Sequence, residues 1–376
     1  MDMEDLLKSV DETLLMGPGP SCVPEEVYAA LATKTLGHLD PHFICIMDRI
    51  KSQLQTLMNT QNTLTVPLSG TGSAGMECSF VNLIEPGDRV LLAVNGVFGL
   101  RMQDVATRLG AVVDTVEFEW GTPVEPDALK AKLAAKDYKI LGVVHAETST
   151  GICNPVASIG RLQRAPETIY LVDAVTSLGG MEIDMDNWGI DVLYSGSQKC
   201  LSCPPGLSPI SFSQKAMVAV KARKTKVPNW YLDLSMIMNY WQGNTRVYHH
   251  TAPVNMLYGL YRSLELILKE GPEKVYQRHR DAHQALVAGL EELGLRMLVA
   301  AEYRLPMLNA VCIPESVDEA AVRRRLLREE KIEIGGGLGP LAGKIWRIGL
   351  MGHTARQENV ERLLSALRRA LPAKAG

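Results

Sequence analysis

The sequence predicts an α/β fold: a large unit on a mostly parallel sheet between helices, followed by a smaller α/β unit. Two observations predict it. Between about residues 64 and 215, short apolar runs with a β-branched bias alternate with amphipathic segments, as in strands joined by helical crossovers. After Glu270-Gly271-Pro272 the pattern changes to a long helix, short strands, a charged helix, more strands and a last helix.

Leu64 to Leu68 reads as the first strand, with a Gly-rich turn and an amphipathic stretch from about Ala74 to Ile84 behind it. Glu85-Pro86-Gly87-Asp88 stops that helix, and Arg89 to Val94 reads as the next strand. Ile140 to Val144, Ile169 to Val172 and Asp191 to Tyr194 are further strands. Helical patterns cover about Val254 to Lys269 and Glu273 to Leu293. Beyond them lie strands at Arg296 to Val299, Asn309 to Ile313, Ile332 to Ile334 and Ile345 to Leu350. Helices at Asp318 to Glu330 and Arg356 to Leu371 complete the chain. This divides it into an extended arm (residues 1–20, ending in Gly17-Pro18-Gly19-Pro20), a large unit (21–270) and a small unit (271–376).

The chain has 376 residues, 46% hydrophobic and 22% charged, which excludes a disordered or collagen-like protein. A net charge of −3 gives no footprint for nucleic acid or an anionic membrane. No apolar run is long enough to span a bilayer. The acidic start, Met1-Asp2-Met3-Glu4-Asp5, resembles neither a secretory signal nor a transit peptide, so a cytoplasmic protein is expected. Seven scattered cysteines then read as reduced.

Four strand ends carry candidate chemistry. Gly70-Thr71-Gly72-Ser73-Ala74-Gly75 follows a strand and opens a helix, where free N–H groups and the helix dipole bind phosphate. It also matches the dinucleotide glycine pattern, but that site wants an acid ending the second strand. Here that strand ends in Asn95-Gly96. A plain tight turn is the remaining reading. Asp173 ends the run Ile169-Tyr170-Leu171-Val172, at the edge where open parallel sheets bind ligands; taken alone it could be a helix N-cap. Lys199 follows Ser195-Gly196-Ser197-Gln198, and no charge occurs from Cys200 to Gln214. A lone lysine is usually a solvated charge, but this neighbourhood suits one held in a site, where a desolvated amine can form a Schiff base. The fourth end is His145-Ala146-Glu147-Thr148-Ser149-Thr150-Gly151.

A phosphate cradle, an acid and a lysine at one sheet edge is the set used in pyridoxal 5′-phosphate chemistry. Lysine holds the aldehyde, a carboxylate pairs with the ring nitrogen, and a helix start binds the phosphate.

At this point the chain resembles class V aminotransferases of fold type I, most closely the alanine–glyoxylate and serine–pyruvate group. The blocks that carry the resemblance are Met16-Gly17-Pro18-Gly19-Pro20-Ser21, the Gly-rich turn, Glu147-Thr148-Ser149-Thr150-Gly151, Val172 to Gly180 and Ser195-Gly196-Ser197-Gln198-Lys199. Arg223-Lys224-Thr225, Tyr231-Leu232-Asp233, Tyr248-His249-His250-Thr251, Gly336 to Pro340 and Arg347-Ile348-Gly349 continue it. The resemblance implies that Lys199 and Asp173 are catalytic, and that Thr71, Gly72, Ser73 and Gln198 hold the phosphate. It implies that Thr148 bonds the ring hydroxyl, that Val175 and Phe98 pack on the ring faces, and that Arg347 grips the substrate carboxylate. Phe98 stands where mammalian members have Trp. Tyr248 and Thr251 would reach the partner's phosphate in a homodimer whose N-terminal arm drapes over the neighbour. No metal is implied.

Transfer from alanine to glyoxylate is the implied activity, with serine–glyoxylate or serine–pyruvate transfer as the alternative. Weaker rivals are a cysteine desulfurase or other lyase, an NAD(P)-dependent oxidoreductase, and a silent homologue that only binds. Cys200 and Cys203 have dithiol spacing without a thioredoxin-like pattern around them. His249-His250 lacks ligand spacing for a metal. Arg323-Arg324-Arg325, near Glu319, Glu329 and Glu330, reads as a solvated helix face.

Overall fold

The structure, a computed structural model, describes residues 6–243 and 246–371. Seven runs pair into one sheet: β1 (Leu64–Ser69), β2 (Arg89–Val94), β3 (Val112–Glu117), β4 (Ile140–Val144), β5 (Ile169–Asp173), β6 (Val192–Tyr194) and β7 (Leu207–Phe212). Their order is β1-β7-β6-β5-β4-β2-β3. Only β7 runs against its neighbours, β1 and β6; the other pairings are parallel. Strands β4, β5 and β6 are buried at every position, as a sheet covered on both faces requires.

Two of these strands lie outside the sequence expectation. β3 is a half-exposed edge strand, so only one side of it carries an apolar signal. β7 contains Pro209, which argues against a central strand. In the sheet Pro209 sits opposite Pro67 of β1, so the two residues without N–H groups face each other.

Helices α1 (Glu25–Leu31) and α2 (Pro41–Met58) precede the sheet. The Asp40 side chain caps α2 at His42 N, and Phe43, Met47, Ile50, Leu54 and Leu57 form its buried stripe. Helix α3 (Gly72–Leu83) follows β1 and α4 (Val97–Arg108) follows β2. Gly75 of α3 lets this helix lie on the sheet, since a Cβ there would fall 3.0 Å from the Tyr194 Cβ.

The long helices α5 (Val254–Glu270) and α6 (Pro272–Glu292) meet at Gly271, whose φ of 93° suits glycine. Most of the apolar core belongs to a cluster that ends at Val275. A second core gathers Ala282, Leu286, Val311, Leu326, Trp346, Ile348 and Leu363, with Leu14 and Met16 from the start of the chain. It is built on an antiparallel sheet of β8 (Arg296–Met297), β9 (Leu308–Cys312), β10 (Gly335–Gly336) and β11 (Ile345–Gly349), ordered β8-β9-β11-β10. Helices α7 (Glu319–Glu329) and α8 (Gln357–Ala370) pack with it. Arg323 and Arg325 pair with Glu319 and Glu329 along α7, at 2.8 Å and 2.9 Å.

The N-terminal arm is not a free extension over its whole length. Residues 1–5 lie outside the described residues, but Leu14–Leu15 pairs in parallel with Ile332–Glu333. Met16 is fully buried in the second core, and its carbonyl accepts from Gly349 N at 2.7 Å. Backbone pairing with a distant strand leaves no local period, which is why the sequence reads simply as extended. Among the described residues, no helix is long and apolar enough to cross a membrane.

Truncating Met16 removes a fully enclosed side chain. Met16→Ala is expected to cost about 2–5 kcal/mol, seen as a lower urea midpoint. An unchanged midpoint would show that the arm is not part of the cooperative core.

Candidate active site

The carboxyl ends of the parallel strands and the first turn of α3 converge on Lys199. The amine sits at the end of the loop that leaves β6. Ser197 Oγ donates to Pro204 O at 2.7 Å, and Ser202 N donates to Lys199 O at 3.1 Å, so the loop is closed on itself. Lys199 is 8% exposed, and its Nζ donates to Pro18 O of the arm. Burial is the main cause that lowers its pKa to about 8, and Arg347 acts in the same direction.

Asp173 is buried at the end of β5. One carboxylate oxygen accepts from Val175 N at 2.8 Å and the other from the Tyr194 hydroxyl at 2.8 Å. Burial pushes it up to about 6, against these two bonds and the Lys199 charge. It is therefore mostly ionised at neutral pH, and each oxygen keeps a lone pair for a further donor. Tyr194 is a residue that the sequence reading missed. It is the register partner of Asp173 in β6, so its signal lies in strand pairing rather than in any motif.

At the start of α3, Thr71 is the N-cap and its side chain makes no capping bond. Thr71 and Ser73 are exposed, while Gly72 is buried. A Cβ on Gly72 would lie 3.1 Å from Val175, which places this turn against the residue that follows Asp173. Gln198 borders the same space: a Cβ on Gly196 would fall 2.8 Å from Gln198 Oε1. That oxygen is buried and has no hydrogen-bond partner.

Thr148 is buried, and its carbonyl accepts from Arg347 Nη1 at 3.3 Å. Arg347, in β11, also donates through Nε to Gly336 O at 2.7 Å. It is 7% exposed, and burial lowers its pKa from the usual value. Both its hydrogen-bond partners are neutral carbonyls, and the buried Glu147 acts on it through charge alone, raising its pKa against burial, so its remaining N–H groups are open to an acidic ligand. Phe98 is half-buried in the first turn of α4, with the Arg101 guanidinium 4.8 Å from its ring centre.

Tyr248 and Thr251 stand apart from this group. Both are exposed, their hydroxyls are 3.2 Å apart, and Tyr248 packs on His38. Between them, His250 Nε2 lies 3.1 Å from Ser69 Oγ, just ahead of the Gly-rich turn. His249 and His250 stack on Trp230 and Tyr231, at 4.4 Å and 4.6 Å between ring centres. Cys200 and Cys203 are both free and buried, with burial pushing each thiol up to about 12.

The arm is the second feature that the sequence reading missed. Gly17 to Ser21 crosses from the small unit to the lysine loop, where Ser21 Oγ donates to Lys199 O at 2.7 Å. Gly19 has φ 106°, and a Cβ there would lie 2.7 Å from Lys199 Nζ. Only a bare backbone fits against this amine. The Gly-Pro alternation was the available signal, since it marks backbone held close to another group.

These residues fit pyridoxal 5′-phosphate. The amine is enclosed and easily deprotonated, the carboxylate keeps acceptor capacity, and a helix start offers uncapped N–H groups. The unpartnered Gln198 oxygen marks a buried polar wall that lacks a partner. If its amide is placed the other way round, the same position presents a donor to phosphate.

The chain matches the family "Aminotransferase class-V" over residues 23–363. It is 43% identical over 361 residues to an alanine–glyoxylate aminotransferase of Oryctolagus cuniculus, covering 95% of this chain and 92% of the relative. It is 38% identical over 375 residues to the (S)-ureidoglycine–glyoxylate transaminase of Bacillus subtilis, covering 95% and 90%. The crystal structure of an alanine–glyoxylate aminotransferase from Nostoc sp. superposes with a TM-score of 0.95 at 47% identity, covering 99% of this chain and all of the other. The chain therefore belongs to the class V aminotransferase family of pyridoxal 5′-phosphate enzymes.

Proposed function

We propose that this enzyme moves an amino group from a small amino acid to a small 2-oxo acid, with alanine as donor and glyoxylate as acceptor. Serine is the alternative donor. The relatives that carry the alanine–glyoxylate name support this choice. The observation that carries it is Arg347, buried beside Lys199 with no acidic partner among its hydrogen bonds.

When bound, pyridoxal 5′-phosphate supplies an aldehyde that condenses with amines and a protonated ring that accepts the electron pair released at the amino-acid α-carbon. The protein supplies the rest. Lys199 and Asp173 are the catalytic residues. Asp173 would supply a buried negative charge to pair with the ring nitrogen. Lys199 Nζ would take the proton from the α-carbon of the amino acid and deliver it to the carbon that came from the cofactor's aldehyde, which needs the neutral amine. Arg347 holds the α-carboxylate by paired bonds from its planar guanidinium. Thr71, Gly72, Ser73 and Gln198 would hold the phosphate, Thr148 would bond the ring hydroxyl, and Phe98 and Val175 would pack against the ring. The Pro18-Gly19-Pro20 segment limits water around the amine.

The working unit in this reading is a homodimer in the cytoplasm. Tyr248 and Thr251 of one protomer would reach the phosphate of its partner, which accounts for two exposed hydroxyls set apart from the protomer's own site. The exposed Leu6, Leu7 and Val10 give the arm an apolar face to lay on the neighbour. Free cysteines throughout suit a reducing compartment.

Assaying alanine, serine, glycine and aspartate against glyoxylate and pyruvate tests the substrate class. Alanine with glyoxylate is expected to give the highest kcat/KM. Arg347→Gln is expected to lower kcat/KM about a hundredfold, as for loss of a charged hydrogen-bonding pair, through KM for the amino acid. A preference for dicarboxylic donors, or an unaffected R347Q variant, would overturn this assignment.

The depressed Lys199 pKa sets a pH dependence on the cofactor-free protein. The amine is mostly protonated below about 8 and mostly neutral above it. Covalent uptake of pyridoxal phosphate, followed by its visible absorbance, should therefore speed up as pH rises through about 8 and level off beyond. A rate still climbing toward pH 10.5 would mean an ordinary, solvated lysine. Lys199→Ala should show no covalent uptake at any pH.

Tyr248→Phe leaves the fold of each protomer untouched and removes one hydroxyl. Cofactor release during dialysis should quicken about tenfold, the weight of one charged hydrogen bond. Release at the wild-type rate, or sedimentation as a monomer, would refute the shared site.

A further inference from the structure

Glu147 is fully buried within the site region, and none of the roles above uses it. Its side chain has an unusual set of partners. One carboxylate oxygen accepts from Ser149 N at 3.1 Å and from Ser149 Oγ at 2.6 Å. The other accepts from Phe98 N at 3.1 Å. Ser149 Oγ in turn accepts from Val97 N at 3.0 Å.

Val97 and Phe98 are the first two residues of α4. The first N–H groups of a helix have no partner within the helix, and an N-cap side chain normally serves one of them. The N-cap here is Gly96, which has no side chain. A Cβ on Gly96 would lie 2.4 Å from Glu147 Cδ and 2.5 Å from Ser149 Oγ. The space of a local cap is taken by a carboxylate from another strand end. Burial pushes Glu147 up to about 7 against the bonds from Ser149 and Phe98; the carboxylate form is the one that can accept all of these donors, and its negative charge suits the helix dipole.

We propose that Glu147 is a positioning residue: its carboxylate clamps the start of α4 to the 147–151 loop, and so fixes Phe98 relative to Thr148 around the cofactor ring. This rests on the cofactor reading above, which places Phe98 on a ring face and Thr148 at the ring hydroxyl. Both carboxylate oxygens receive backbone N–H groups, so both must be acceptors. A carboxamide turns one of them into a donor facing a donor. Glutamine therefore keeps the shape and breaks the clamp.

The test compares wild type, Glu147→Gln, Phe98→Ala and the double variant as purified apoenzymes titrated with pyridoxal phosphate. Tryptophan fluorescence reads affinity, visible circular dichroism reads ring orientation, and thermal melting of the apo form reads folding. E147Q should bind about tenfold more weakly, the weight of one hydrogen bond to a charged group, and show a smaller visible dichroic band, with an apo melt that is lowered but still cooperative and well above the temperature of the titration. In the Phe98→Ala background the same change should cost under about threefold, because the residue it positions is gone. Unchanged affinity and dichroism in E147Q would overturn the proposal, as would an equal tenfold loss without Phe98. If E147Q does not fold, Ser149→Ala removes the link to Val97 and should reproduce the effect at about threefold; no change there would also overturn it. Wild-type apoenzyme that binds no pyridoxal phosphate would overturn the cofactor reading itself, a result distinct from wild type that binds and an E147Q variant that matches it.

Discussion

The site depends on burying charge-bearing groups without letting them neutralise one another. Asp173, Lys199 and Arg347 are 3%, 8% and 7% exposed. Burial of an unpaired charge costs several kcal/mol, and a protein built for stability alone would pair these groups or omit them. Instead each is held by neutral partners: Asp173 by Val175 N and Tyr194, Lys199 by Pro18 O, Arg347 by Gly336 O and Thr148 O. Burial is the main cause that moves all three toward their uncharged forms. The partners stabilise each group enough to keep it in place, and leave its charge unspent. That is the condition a ligand carrying the complementary charges requires.

The lysine loop is where the three parts of the chain meet. Ser21 of the arm bonds the Lys199 carbonyl. His353 N, from the small unit, donates to Ser202 Oγ at 2.7 Å. Ser263 of α5 donates to the Leu201 carbonyl. Ser202 itself sits at φ 54°, a region unfavourable for a side-chain-bearing residue, and the bonds around it hold it there. The position of the reactive amine is thus set by the arm, both units and the helix that joins them. A site fixed in this way cannot be carried by a fragment, which explains why the likeness to the family spans nearly the whole length rather than one motif.

What the sequence made legible, and what it did not, follows from the range of the forces involved. Buried strands such as β4 and β5 are continuous apolar runs ending in one polar residue, so strand, end and candidate acid could be read together. The Gly-rich turn that opens α3 is local and glycine-marked, and it too was legible as a helix start. β7 was hidden because its proline is tolerated only through pairing with Pro67, 142 positions earlier in the chain. The arm's place beside Lys199 was hidden for the same reason: Leu14 and Leu15 pair with residues more than 300 positions away. Tyr194 and Glu147 act through register and through a helix end. Neither leaves a mark in composition or period, so the groups that hold the catalytic side chains were less visible than those side chains themselves.

The same physics separates this chain from other chemistry on the same architecture. A desulfurase needs a thiolate that can reach the cofactor. Cys312 is a strand residue of β9, paired between Arg296 and Ile345. Cys200 adjoins the lysine, but its thiol donates to Thr176 O at 3.2 Å, and burial holds it protonated, near 12. The Cys200 thiol is thus occupied within the lysine loop, and Cys312 is placed by its strand pairing in the small unit's sheet. The small unit instead presents Arg347 from β11, a group with no nucleophilic capacity and a fixed geometry for carboxylates. Every α-amino acid, cysteine included, carries the carboxylate that an arginine suits, so what weighs against carbon–sulfur cleavage is the Cys200 thiol, buried, hydrogen-bonded and held protonated.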